Sequence, residues 1–115
     1  MARRAKGDLD GAISDYNKDI GLNSDDAAAY VNRATARYLK DDLDGAISDC
    51  TKAISLDPKF AVAYAGRGLA LLSKGKDDEA GQDFTKAFGL DATLKPRFEA
   101  LADDIKQKRK VTPKP

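Results

Sequence analysis

The strongest constraint on this chain is that it repeats itself. Asp8-Leu-Asp-Gly-Ala-Ile-Ser-Asp15 returns unchanged at Asp42–Asp49, 34 residues further on, and 11 of 15 positions agree between 8–22 and 42–56. A second shift of 34 lands on Lys76–Asp91, where Ala80, Asp83, Thr85, Lys86, Ala87, Leu90 and Asp91 match again. The intervening segments recur as well: Tyr30, Arg33, Ala36 and Lys40 become Tyr64, Arg67, Ala70 and Lys74. One period therefore covers the chain, and a fixed period of this length means stacked units that each contact only their neighbours.

Within each period the apolar residues fall at steps of three and four. Tyr30, Ala34 and Leu39, then Leu43, Ile47, Cys50, Ile54 and Leu56, follow a helical spacing rather than the alternation of a strand. Lys40-Asp-Asp and Lys74-Gly-Lys-Asp read as polar turns. Asp8 and Asp42 are suited to cap the following helices, because a carboxylate accepts the orphan N–H groups there. Leu56-Asp-Pro58 reads as a stop, since proline disfavours helical geometry in the residue before it. The pattern predicts an all-α chain with helices at roughly 9–22, 26–40, 43–56, 60–74, 77–90 and 94–109.

Small residues at equivalent places (Ala12, Ala46 and Ala80; Ala34 and Gly68; Ala53 and Ala87) would let the helices approach closely. Larger groups would fill the space between them: Tyr16, Cys50 and Phe84; Ile20, Ile54 and Phe88; Leu22, Leu56 and Leu90. A unit of this size cannot bury its own apolar faces, so the core must come from stacking.

The period, the aromatic opening the first helix of each pair, the small residues at the crossing and the Leu-Asp-Pro ending resemble the tetratricopeptide repeat (TPR). That resemblance implies a right-handed helical solenoid of helix-turn-helix repeats. On its register, 1–25 is a partial repeat made mainly of its second helix, 26–59 and 60–93 are full repeats, 94–109 is a C-terminal capping helix, and 110–115 is a flexible basic tail. In the capping helix Phe98, Leu101, Ala102 and Ile105 take motif positions of a fourth repeat. At the other end, Met1–Lys6 supplies only the tail of a first helix, and Asp19 stands where other copies have Ala53 and Ala87. The preferred reading is a piece of a longer array, the other being an edge covered by something else.

The resemblance further implies a non-catalytic scaffold that holds a partner protein or peptide in a concave groove lined by the first helix of each pair. Carried over by register, the groove residues are Ala28, Val31, Asn32, Thr35, Tyr38 and Leu39, followed by Val62, Ala65, Gly66, Leu69, Leu72 and Ser73. Leu69→Glu should on this reading disturb binding without removing core volume. Tyr30-Val-Asn-Arg-Ala resembles co-chaperone TPRs that clamp a terminal carboxylate, but only Asn32 matches the clamp. The clamp lysine falls on Val62 and the clamp arginine on Gly66, so a groove this apolar favours a hydrophobic or mixed peptide.

Other chemistries fit less well. The chain has no histidine, so the commonest general base and metal ligand is missing. Cys50 recurs as Tyr16 and Phe84, which marks a core filler rather than a nucleophile. Asp-Leu-Asp-Gly has its glycine fourth, not sixth as a calcium loop needs, and Gly66-Arg-Gly68 lies mid-helix with no strand before it. No enzyme activity, cofactor or metal is expected. Arg33 and Arg67 are expected to form an internal ladder with Asp15, Asp49 and Asp83.

Twenty basic residues nearly cancel 19 acidic ones, which gives no basic surplus for nucleic acid. The five basic residues of 106–115 read as a frayed terminus. No apolar run approaches a membrane span and no signal peptide is present, so the expected location is the cytoplasm, or the periplasm for a fragment without its signal. The alternative function is self-assembly, with a homodimer formed through the N-terminal edge near Ile13, Tyr16 and Ile20.

Overall fold

A computed structural model of the protein describes residues 6–111. Six α-helices run in order: α1 (Lys6–Leu22), α2 (Ala27–Leu39), α3 (Leu43–Leu56), α4 (Ala61–Ser73), α5 (Asp77–Leu90) and α6 (Lys95–Val111), with a 3-10 turn at Ala92–Leu94 before α6. Each packs against the next through α5, which makes the all-α helical solenoid the repeat demands. Part of the expected basic tail, 112–115, and most of the short N-terminal segment, 1–5, lie outside the described residues. Among the described residues no helix is long and apolar enough to cross a membrane.

The local chemistry of the helix ends explains several of these boundaries. Asp26 accepts from the backbone N–H of Ala29, and Asp42 from that of Gly45 at 2.9 Å, as N-caps should. Asp8 does not cap, because α1 begins at Lys6 and places Asp8 inside its first turn. After α2 and α4 the chain passes through left-handed residues, Asp41 (φ 67°) and Gly75 (φ 84°). There Asp42 N–H donates to Arg37 C=O and Lys76 N–H to Leu71 C=O, at 2.8 and 2.9 Å, satisfying carbonyls the helix leaves open.

The core lies where small residues let helices meet. Ala46, Ala53, Ala63, Ala70, Ala80 and Ala87 are all at most 2% exposed. Larger groups are accommodated in compensating pairs. Ala34 of α2 clusters with Cys50 of α3, whereas in the next repeat Gly68 faces the larger Phe84. A Cβ at Gly68 would come within 2.8 Å of the Phe84 ring, which stacks on Phe88 at 5.9 Å. Gly68→Ala gains helix propensity worth up to about 1 kcal/mol but forces an overpacked ring, at about 1–3 kcal/mol. The net expectation is destabilisation of about 1 kcal/mol in urea unfolding, turning to stabilisation in a Phe84→Cys background that recreates the Ala34–Cys50 pairing.

The leucines expected as fillers behave unequally. Leu56 packs in the cluster of Tyr30, Ala53, Ala63 and Phe60, while Leu22 is 89% exposed and Leu90 is 37% exposed. The difference for Leu22 is its partner, because the residue equivalent to Phe60 is Asp26.

The last helix departs from strict stacking. Helix α4 closes on α3 through the fully buried methyl groups of Ala63 and Ala70. At the equivalent places α6 carries Arg97 and Asp104. These cannot be buried against a neighbouring backbone without a large desolvation cost. Accordingly α6 packs on α4, and reaches α5 chiefly through the 3-10 turn and the side chains of Phe98 and Ala102.

Candidate functional site

The ladder expected from Arg33 and Arg67 is present in two rungs. Arg33 donates to both oxygens of Asp49 at 2.9 and 2.8 Å, and its third nitrogen reaches Asn17 Oδ1 at 2.8 Å. Arg67 repeats this with Asp83 at 2.7 and 2.9 Å, and with Thr51 Oγ1 at 3.2 Å. Each rung therefore ties three helices. The hydrogen bonds to Asp49 and Asp83 hold both guanidinium groups charged beyond their ordinary range. Asp15 is exposed and takes no part in the ladder among the described residues. A second set of pairs with the same period escaped the sequence reading: Lys40 with Asp10, and Lys74 with Asp44. These are exposed, and such pairs stabilise by at most about 1 kcal/mol each.

With the ladder accounting for these arginines, the remaining feature is a concave groove of about 830 Å³. Val31, Thr35, Tyr38 and Leu39 of α2 form one wall, and Val62, Gly66, Leu69 and Ser73 of α4 form the centre. Ala34, Ala46 and Cys50 complete the floor. The hydroxyls of Tyr38 and Ser73 meet at 3.1 Å, and Thr35 donates to the Val31 carbonyl, so much of the polarity on these two helices is satisfied internally.

Eight of the twelve residues assigned to the groove by register thus lie along it: Val31, Thr35, Tyr38, Leu39, Val62, Gly66, Leu69 and Ser73. Ala28 and Asn32 are exposed outside its lining, on a flank of α2 with no further helix beside it among the described residues. Ala65 is fully buried in the cluster that contains Phe98, so α6 has made it a core residue. Leu72 is likewise buried, at 2% exposure. Leu69 lines the groove yet is only 8% exposed and belongs to the same core cluster as Ala65. A glutamate there would therefore test folding as much as binding.

Sequence reasoning missed the far wall. Arg97, Leu101, Asp104, Ile105 and Lys108 of α6 line the groove together with Phe98. The available signal was the loss of the small residues at 97 and 104. The wall is charged but mostly self-compensated, with Lys108 3.2 Å from Asp104. Cys50 offers no nucleophile, because burial, with the Asp49 charge second, pushes its thiol up to about 12 and keeps it protonated at neutral pH.

Two family profiles described as tetratricopeptide repeat match residues 27–60 and 61–94. No curated protein matches the chain. Among solved structures it is similar to the TPR domain of Arabidopsis OM64, at 31% identity and a TM-score of 0.79 over 89% of this chain and 84% of that one. The TPR2B domain–pHsp70 complex of yeast Sti1 matches at 29% identity and 0.79, covering 90% and 86%. The second TPR domain of human RPAP3, in complex with the HSP70 peptide SGPTIEEVD, matches at 34% identity and 0.76, covering 88% and 83%.

Proposed function

The chain belongs to the tetratricopeptide repeat family, and on that premise we propose that it is a non-catalytic scaffold holding an extended segment of a partner protein in the groove between α2, α4 and α6. The observation that carries this reading is the groove itself, about 830 Å³, concave and mostly apolar, formed by the first helices of successive repeats. A site of that shape suits a ligand that buries side chains and is positioned by a few polar groups. The similar domain of human RPAP3 in complex with an HSP70 peptide supports a peptide as the ligand class.

The ligand itself should differ from a chaperone tail. Val62 and Gly66 occupy the places where the resemblance put the lysine and arginine of a carboxylate clamp, and Asn32 lies outside the groove lining. The rival reading, self-assembly through the edge of α1, gains no support from the comparisons.

Thr35→Trp tests the groove better than any change at Leu69. Thr35 is exposed and lines the groove, so an indole there fills the space while the core is untouched. Expected is a loss of partner-peptide binding of at least about tenfold by fluorescence polarisation, with circular dichroism and the unfolding midpoint unchanged. Binding that survives this substitution would move the site off the groove.

A further inference from the structure

Among the described arginines, four have carboxylate partners. Arg33 and Arg37 share Asp49, Arg67 holds Asp83, and Arg109 meets Asp77. Arg97 is the exception among the described residues. It is exposed on the first turn of α6, lines the groove, and its only ring or polar contact is its guanidinium 5.5 Å from the centre of the Phe98 ring. The other charges on that wall, Asp104 and Lys108, face each other at 3.2 Å. The groove thus presents one uncompensated positive charge beside an apolar floor.

We propose that the groove recognises an internal segment of a partner protein carrying one acidic side chain, Asp or Glu, beside apolar residues, with Arg97 as the residue that receives the carboxylate. This rests on the peptide-binding reading above and adds the determinant of specificity to it. The placement decides between a side-chain carboxylate and a chain terminus. A terminal carboxylate is part of the backbone, and where the backbone runs along the centre of the groove Val62, Gly66 and Leu69 offer no cation and burial of the charge would be costly. A side-chain carboxylate extends to the rim, stays partly hydrated, and meets the planar fork of a guanidinium in the geometry that fork favours. Spacing along α6 fits as well. Arg97 and Lys108 are 11 positions apart, about 16 Å of helix, a distance that about five extended residues span. Leu101 and Ile105 lie between them for the apolar positions.

The test is selection from random seven-residue segments displayed between flexible linkers, so that neither terminus is free. Segments recovered by the wild type and lost with Thr35→Trp are groove ligands. They are expected to carry Asp or Glu at a fixed offset from an apolar residue. Replacing that acid by its amide should weaken binding about fivefold to tenfold. Arg97→Gln should remove the acid preference while still recovering apolar segments, and Arg97→Glu should turn it toward Lys and Arg. Groove ligands with no acid preference, or a preference unchanged in Arg97→Gln, would overturn the role of Arg97 and leave the groove reading standing. Recovery only from a library ending in a free carboxylate would overturn the choice of an internal segment. An absence of any groove-dependent segment would overturn both readings together.

Discussion

Arg67→Ala is expected to destabilise the protein by about 3–5 kcal/mol, because it strands a buried carboxylate. Asp83 is 7% exposed and its hydrogen bonds go to Arg67 alone, through two nitrogens. Removing the guanidinium leaves a mostly buried charge without its counter-ion. For a domain of this size that is a fall in melting temperature on the order of 10 °C or more. Thermal unfolding followed by circular dichroism would read it directly. The matching change one repeat earlier should be milder. Arg33 also holds a buried aspartate, Asp49 at 3% exposure, but Arg37 donates to that same carboxylate at 3.0 Å. The residue equivalent to Arg37 in the next repeat is Leu71. Arg33→Ala therefore leaves Asp49 one cation, and its cost should stay near 1–2 kcal/mol. Equal losses at the two sites would show that Arg37 does not act as a second partner.

A double replacement separates the pair from the penalty of breaking it. Arg67→Met with Asp83→Leu removes both charges and keeps apolar volume. It should recover most of the stability that Arg67→Ala loses, since the attraction between buried ions roughly offsets their desolvation. If the double variant were as unstable as the single one, the three-helix tie through Thr51 would be the larger contribution.

How much of this was legible follows from what the period encodes. Helix positions came out within a few residues because spacing and stop signals are properties of one helix and its ends. The rungs were legible too, because Arg and Asp repeat with the same register. Burial was harder, since it depends on which neighbour is present. Leu69 and Ala65 are at groove positions by register and in the core by packing, because α6 lies over them. Leu22 matches Leu56 in sequence and is exposed because Asp26 is not Phe60. The wall of the groove was the largest omission. Its signal lay in the sequence at Arg97 and Asp104, where charges replace the alanines that let α4 close on α3. Reading it required asking what those charges prevent, rather than which motif positions α6 keeps.

Helix α6 is expected to depend on one anchor. Phe98 is 5% exposed and shares a cluster with Tyr64, Ala65, Leu69 and Ala87. Other ties among the described residues include the small Ala102, the half-buried Ile105, and the exposed Arg109–Asp77 pair. An exposed pair adds at most about 1 kcal/mol, and a helix of 17 residues is marginal alone in water. Phe98→Ala, a loss of about 3–5 kcal/mol at a buried aromatic, should therefore exceed what holds α6 down. Hydrogen exchange should show the amides of α6 losing protection while those of α2 through α5 keep most of theirs. Leu101→Ala on the same helix is the contrast, since Leu101 is 40% exposed and should cost less than about 1 kcal/mol. Release of α6 would also carry Arg97 away from the groove, so Phe98→Ala should abolish the preference for acidic segments while α2 and α4 stay folded. Protection of α6 that persisted in Phe98→Ala would mean that Ala102 and Ile105 suffice to dock it, and the wall would then be a rigid part of the solenoid rather than a helix held by one ring.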